Sequence, residues 1–286
     1  LFRSSVFKGT RGVGKTTFLL QYAKEKFGTD RSCLFINMNN FYFSGHSIVD
    51  FAYEFQRRGG KVLLIDQVFK HPDWSKELRL CYDRFPNLKI VFTGSSVMRL
   101  KEENLELRDI VKSYNLRGFS FREYLNLQTG MKFRSYSLEE ILSNHEQIAK
   151  GILSKVRPLD HFQDYMHHGF YPFFLEKRNF SENLLKTMNM MVEVDILLIK
   201  QIELKYLSKI KKLLYFLAVD GPKAPNVSQL ANDIQTSRAT VMNYIKYLAD
   251  ARLINMVYPK GEEFPKKPSK IMMHNSNLMY SIYPVK

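Results

Sequence analysis

The stretch GTRGVGKTT at residues 9–17 fits the spacing G-x-x-x-x-G-K-[ST], with Gly9, Gly14, Lys15 and Thr16 in the fixed places. Residues without a Cβ take the positive φ values that let a backbone wrap an anion. Successive N–H groups then point inward, and the helix that follows presents its positive end to the same place. The pattern reads as a phosphate cradle made by Gly9, Thr10, Arg11, Gly12, Val13, Gly14, Lys15, Thr16 and Thr17. Lys15 is expected to reach the β- and γ-phosphates of a nucleotide, and the Thr16 hydroxyl to ligate Mg²⁺. The context agrees: Ser5, Val6 and Phe7 read as a strand before the loop, and residues 17–23 as a helix after it.

Working outward, residues 33–38 form a short apolar run suited to a buried strand, and residues 47–56 have helical spacing that stops at Gly59 and Gly60. Residues 61–67, KVLLIDQ, are an apolar strand ending in an acid. An aspartate at the carboxyl end of a buried strand suits a cation held beside the phosphate loop, so Asp66 is expected to hold Mg²⁺. Residues 74–85 read as a helix and residues 88–96 as a strand ending in small polar residues. A hydroxyl there can touch the γ-phosphate, with Ser95 the first choice and Thr93 the second. Residues 112–116 read as a fifth strand. After it, Ser120 and Glu123 have capping-box spacing at the start of a helix. Strands alternating with helices predict an α/β fold: a parallel sheet with helices on both faces and its ligand site at the carboxyl ends of the strands.

From about residue 126 the strand pattern gives way to helices at 138–153, 159–168 and 182–200, an all-α lid or connector. Its positions 188–199 are expected to pack on the sheet domain. The adjacent pair His167 and His168 does not share a helix face, which argues against a metal site. The last third reads as two helices joined by a short turn, followed by a strand pair at 253–258 and 270–273, the plan of a winged helix-turn-helix. The expected division is 1–125, 126–204 and 205–286.

Charge supports a polyanion-facing C-terminal part. The chain carries a formal +15, and residues 201–286 hold 13 Lys and Arg against 6 Asp and Glu. Arg238, Thr240, Asn243 and Lys246 are expected on the outer side of the second helix, with Lys260, Lys266 and Lys267 on the wing loop. These suit contacts to double-stranded DNA, while a protein-docking use of the same domain stays open. Two cysteines, Cys33 and Cys81, outside any C-x-x-C arrangement, suit a reducing cytoplasm. No apolar run reaches the ~18 residues of a membrane span.

Taken together, GTRGVGKTT, LLIDQV, IVFTGSS, NLRGFSFREYL and GFYPF, in that order and ahead of a winged-helix pattern, resemble the prokaryotic AAA+-superfamily ATPases, with archaeal and Orc/Cdc6-like relatives. The resemblance covers nearly the whole chain. It implies ATP and Mg²⁺ as ligands, a homo-oligomer, and a sheet whose sensor strand lies between the strands carrying the phosphate loop and Asp66. It also implies a nuclease-like domain following Lys286 in some members, and residues ahead of Leu1. Lys15, Gln67 and Ser95 are then expected around the attacked phosphate. The family normally places glutamate after the aspartate. Gln67 stands there instead, and glutamine can orient water but cannot take its proton. Arg108 sits near the family's arginine-finger position, in a surrounding sequence that departs from the pattern.

Overall fold

The computed structural model of the chain describes residues 2–95, 97, 104–176 and 178–283. The first part alternates strand and helix: β1 (Ser4–Gly9), α1 (Lys15–Lys26), β2 (Cys33–Asn37), α2 (Ile48–Arg57), β3 (Val62–Asp66), α3 (Trp74–Arg84), β4 (Lys89–Ser95) and β5 (Lys112–Asn115). Ser96, read from sequence as the end of the fourth strand, lies outside the described residues. All five strands are parallel, in the order β2-β3-β4-β1-β5. The strand ending in Thr93 and Ser95 therefore lies between the one ending in Asp66 and the one feeding the loop, as the resemblance implied.

Successive strand side chains point to opposite faces, and the core divides accordingly. Val6, Leu63, Ile65, Ile90 and Phe92 pack with Ile48, Val49 and Ala52 of α2 and with Leu78 and Cys81 of α3. Phe7, Val62, Leu64 and Val91 pack on the other side with Leu19 of α1. Every residue of β3 is buried, which is why it reads as an unbroken apolar run rather than an alternating one.

The chain then continues through α4 (Phe121–Thr129), α5 (Leu138–Leu153), α6 (Pro158–Asp164) and a π-helical turn (Tyr165–Gly169). Ser120–Glu123 and Ser137–Glu140 both close complete capping boxes. A 3₁₀ segment (Pro172–Glu176), α7 (Phe180–Met190), a second π-helical turn (Met191–Ile196) and α8 (Leu197–Lys200) follow. The two adjacent histidines diverge: His168 bonds Asp164 at 2.8 Å, and His167 stacks on Tyr280 at 3.8 Å.

The last part comprises α9 (Leu207–Asp220), α10 (Val227–Asp233), α11 (Arg238–Asp250), the antiparallel ribbon β6 (Ile254–Val257) and β7 (Lys270–Met273), and α12 (Ser276–Ile282). Its core refines one expectation. Met188, Met191, Val192, Ile196 and Leu197 join a cluster with Ile210, Leu213, Tyr244, Leu248 and Leu278. They also meet the first part of the molecule, through Val13 of the phosphate loop and Val97, which belong to the same cluster, and not through the residues on the faces of the sheet. The side chains of Leu198 and Ile199, within the same expectation, lie outside what is described. The reason is geometric: both faces of the sheet already carry α1, α2 and α3, so the apolar side of the second π-helical turn finds its partners among the C-terminal helices. Among the described residues, no helix is long and apolar enough to cross a membrane.

Candidate functional site

The loop at residues 9–17 leaves β1 and turns into α1 with Gly12 at φ +84° and Gly14 at φ +89°, values an L side chain resists. Gly9 is required for another reason: a Cβ there would lie 2.4 Å from the Leu116 carbonyl oxygen. Lys15 opens α1, and its Nζ donates to the carbonyls of Gly9 and Thr10, each at 2.9 Å. Burial is the main cause that lowers the Lys15 ammonium to about 8; Asp195 and Asp66 pull it back up, while Arg11 and Arg252 push it down. Thr10 is buried and its hydroxyl contacts the Met191 sulfur at 3.5 Å.

Register brings the strand ends together. Gly9 pairs with Ser95 across β1 and β4, and Asn37 with Asp66 across β2 and β3. Asp66, only 1% exposed, accepts three hydrogen bonds: from the Thr16 hydroxyl at 2.9 Å, the Asn37 amide at 3.0 Å and the Thr93 hydroxyl at 2.6 Å. Thr93 in turn accepts the Gln67 backbone N–H at 2.8 Å, which holds Gln67 in a left-handed conformation at φ +55°. Ser95 lies beside these groups, and its hydroxyl accepts the Val97 N–H at 3.3 Å.

Thr16 and Asp66 present a hydroxyl and a carboxylate oxygen side by side. Mg²⁺ takes hard oxygen ligands and keeps several waters, so one or two protein oxygens of this kind fit it. Among the described residues no group of three or more His, Cys, Asp or Glu is gathered as an all-protein cage.

A cavity of about 450 Å³ opens over the loop. Its floor includes Gly12, Gly14, Lys15, Thr16, Thr17, Asp66, Gln67, Thr93 and Ser95, and its roof comes from the connector through Pro172, Phe173, Leu175 and Glu176. The roof sits directly on the glycines: a Cβ on Gly12 would meet the Phe173 and Tyr171 rings at 3.2 and 3.3 Å. Arg11 of the loop forms a 2.7 Å ion pair with Asp195 of the second π-helical turn, and both line the cavity.

The structure thus gathers Arg11, Gly12, Gly14, Lys15, Thr16 and Thr17 of the loop with Asp66, Gln67 and Ser95 around one space, while Gly9, Thr10 and Val13 of the same loop do not line it. Sequence reasoning missed Asn37, Asp195 and the Pro172–Glu176 roof. Asn37 could have been found as the polar residue ending the strand beside Asp66. Asp195 was signalled by an acid inside the apolar run MVEVDILL.

The C-terminal surface residues are disposed differently from one another. Arg238 and Asn243 are exposed on α11, and Lys267 is exposed on the ribbon loop. The Thr240 hydroxyl bonds Ser237 at 2.9 Å, Lys246 pairs with Asp250 at 3.2 Å, and Lys266 pairs with Glu262 at 3.2 Å. Arg108 is exposed beyond a 3₁₀ turn.

Residues 2–125 match the family described as AAA domain, and residues 159–282 match a domain family of unknown function, DUF8612. An uncharacterized protein of Methanocaldococcus jannaschii is 29% identical over 269 residues, which make up 88% of this chain and 56% of the relative. The chain therefore spans about half the length of that relative. Among solved structures, the Aeropyrum pernix Orc1 protein in complex with DNA aligns over 98% of this chain and 86% of its own, at a TM-score of 0.37 and 11% identity. AMPPCP-bound DnaA from Aquifex aeolicus aligns over 87% of this chain and 82% of its own, at a TM-score of 0.34 and 13% identity. Neither likeness is close enough to carry an argument about this chain.

Proposed function

From the AAA domain of the P-loop type that residues 2–125 form, we propose that this protein binds ATP with Mg²⁺ and couples its nucleotide state to a contact made by the basic C-terminal part. The observation that carries the proposal is the meeting of Lys15, Thr16 and Asp66 at one end of the cavity, with the Thr16 hydroxyl 2.9 Å from the Asp66 carboxylate. Lys15 would neutralise the terminal phosphates, and the loop N–H groups would bind their oxygens. Thr16 and Asp66 would hold Mg²⁺, which would supply positive charge to offset that of the terminal phosphates. Ser95 and Gln67 would face the attacked phosphate, beneath the roof formed by Pro172, Phe173, Leu175 and Glu176.

Gln67 supports a second reading of the same site, a nucleotide-gated module that does not hydrolyse. A primary amide positions water but accepts no proton, and a missing general base costs about 10²–10⁴ in rate. Phosphate release from the chain as it stands is therefore expected to be slow, and Gln67→Glu is expected to raise it by about 10²-fold, since the substitution is isosteric and leaves the Gln67 backbone bond to Thr93 in place. If both forms release no phosphate while ATP still binds, the non-hydrolysing reading stands.

For the C-terminal part, the proposal is a winged helix that meets double-stranded DNA through Arg238, Asn243 and Lys267. Thr240, Lys246 and Lys266 would join only after giving up their present partners. Titration with duplex at two salt concentrations is expected to show binding that weakens steeply as salt rises. Binding indifferent to salt, or none, would favour a protein-docking use of this surface.

A further inference from the structure

Asp195 is a carboxylate where the surrounding residues ask for a hydrocarbon. Its neighbours Met191, Val192 and Ile196 are buried in the C-terminal core, and Asp195 itself is only 4% exposed. Burying a carboxylate is costly unless it is paired, and a buried pair is weak evidence of a stabilising purpose. Its partner, Arg11, belongs to the phosphate loop, at 2.7 Å. Arg11 also keeps a buried Nε with no hydrogen-bond partner, so its fork is only half used. Both side chains line the cavity over the loop. Asp195 rides on a π-helical turn, a distortion that recurs at functional positions.

A guanidinium recognises carboxylate and phosphate by the same planar fork, so the two anions compete for it. We propose that Asp195 reads the terminal phosphates of the nucleotide. Its carboxylate holds Arg11 in this structure, an incoming phosphate takes Arg11 over, and the freed Met191–Ile196 turn carries the change into the C-terminal core. The inference rests on the nucleotide reading of the cavity and adds the residue through which occupancy leaves the loop. The route is short, because the same turn contributes Met191, Val192 and Ile196 to the cluster that holds α9 and α11.

The test uses the full chain with Mg²⁺ and two probes, ATP and ADP. Removing the competing charge by Asp195→Asn is expected to tighten ATP binding by about tenfold and ADP binding by less, a coupling of ordinary size. Arg11→Gln is expected to act in the opposite direction and weaken ATP. A purely structural ion pair would give two variants that shift affinity the same way or not at all, and either result overturns the proposal. If neither the parent chain nor Asp195→Asn binds ATP, the nucleotide reading itself fails. That failure is distinct from parent and variant binding equally. A second measurement needs no variant: amide hydrogen exchange across residues 191–200 should quicken when ATP is added to the parent chain. Unchanged or slowed exchange there overturns the proposal even if Asp195→Asn does not fold.

Discussion

Lys15→Ala is expected to weaken ATP binding by about 100-fold, the cost of removing one partner from a buried, hydrogen-bonded charge contact. In this structure the ammonium turns back onto the Gly9 and Thr10 carbonyls, both at 2.9 Å, at the edge of the cavity it would serve. Those carbonyls are the partners it would exchange for phosphate oxygens. Burial lowers its titration to about 8, so the nucleotide-free protein loses this charge as pH passes that value. A phosphate beside it favours the charged form, and binding must then take up a proton. ATP affinity is accordingly expected to fall by about tenfold between pH 7 and pH 9, and Lys15→Ala should lack that dependence. For folding the same shift has its own sign. The unfolded chain holds the proton up to the ordinary value of 10.5, so burying charged Lys15 opposes folding below about 8, and this opposition fades as pH rises through the interval. Isothermal titration at the two pH values checks the first claim, and thermal melts of parent and variant check the second.

Gly118→Ala is expected to destabilise the protein by about 2–3 kcal/mol, the upper range for overpacking a tight contact. A Cβ at this position would lie 2.4 Å from the Phe170 carbonyl oxygen and as near to the Phe170 ring. That carbonyl cannot retreat alone, because it accepts the Phe119 N–H at 2.8 Å. The Phe170 N–H is in turn held by Asn277 at 2.9 Å, and buried Asn277 donates to the carbonyls of Tyr165 and Met166 at 3.0 and 2.7 Å. The added methyl therefore strains three segments at once, one of which carries the Pro172–Glu176 roof. Gly151→Ala is the control. It adds a methyl where nothing lies within 4 Å, on a helix with no buried residue, and is expected to be neutral or slightly stabilising. Melting curves of the two variants side by side test the claim; equal Tm values would contradict it.

The sheet domain was legible in the sequence because its determinants are local. Seven consecutive residues specify β3 and Asp66, and nine specify the loop. The parallel topology then follows from the alternation of strands and helices. What escaped the sequence joins distant positions. Arg11 and Asp195 lie 184 residues apart, and Asn277 meets Phe170 across 107. No periodicity announces such pairs. The connector shows the same limit. The apolar pattern of positions 188–199 marks a packing surface but does not name its partners, and among the described side chains these lie mainly in the C-terminal helices, with Val13 and Val97 from the first part of the chain. On α11 the spacing separated inside from outside, with Val241, Ile245 and Leu248 buried. It did not tell that Lys246 would turn to Asp250 or that Thr240 would complete the Ser237 cap.

Val13 has a consequence beyond the site. It occupies a variable position of the loop motif, yet it is only 3% exposed, because it is packed into the core built by the far end of the chain. The binding loop therefore has no outer wall of its own. A fragment that stops after the sheet domain would carry an apolar knob on the rim of its binding mouth. It would first reveal the missing half by sticking to itself, before any change in its chemistry. Substitutions at this one loop residue answer to two interiors at once, and a side chain suited to the phosphate but not to the distant core would be rejected.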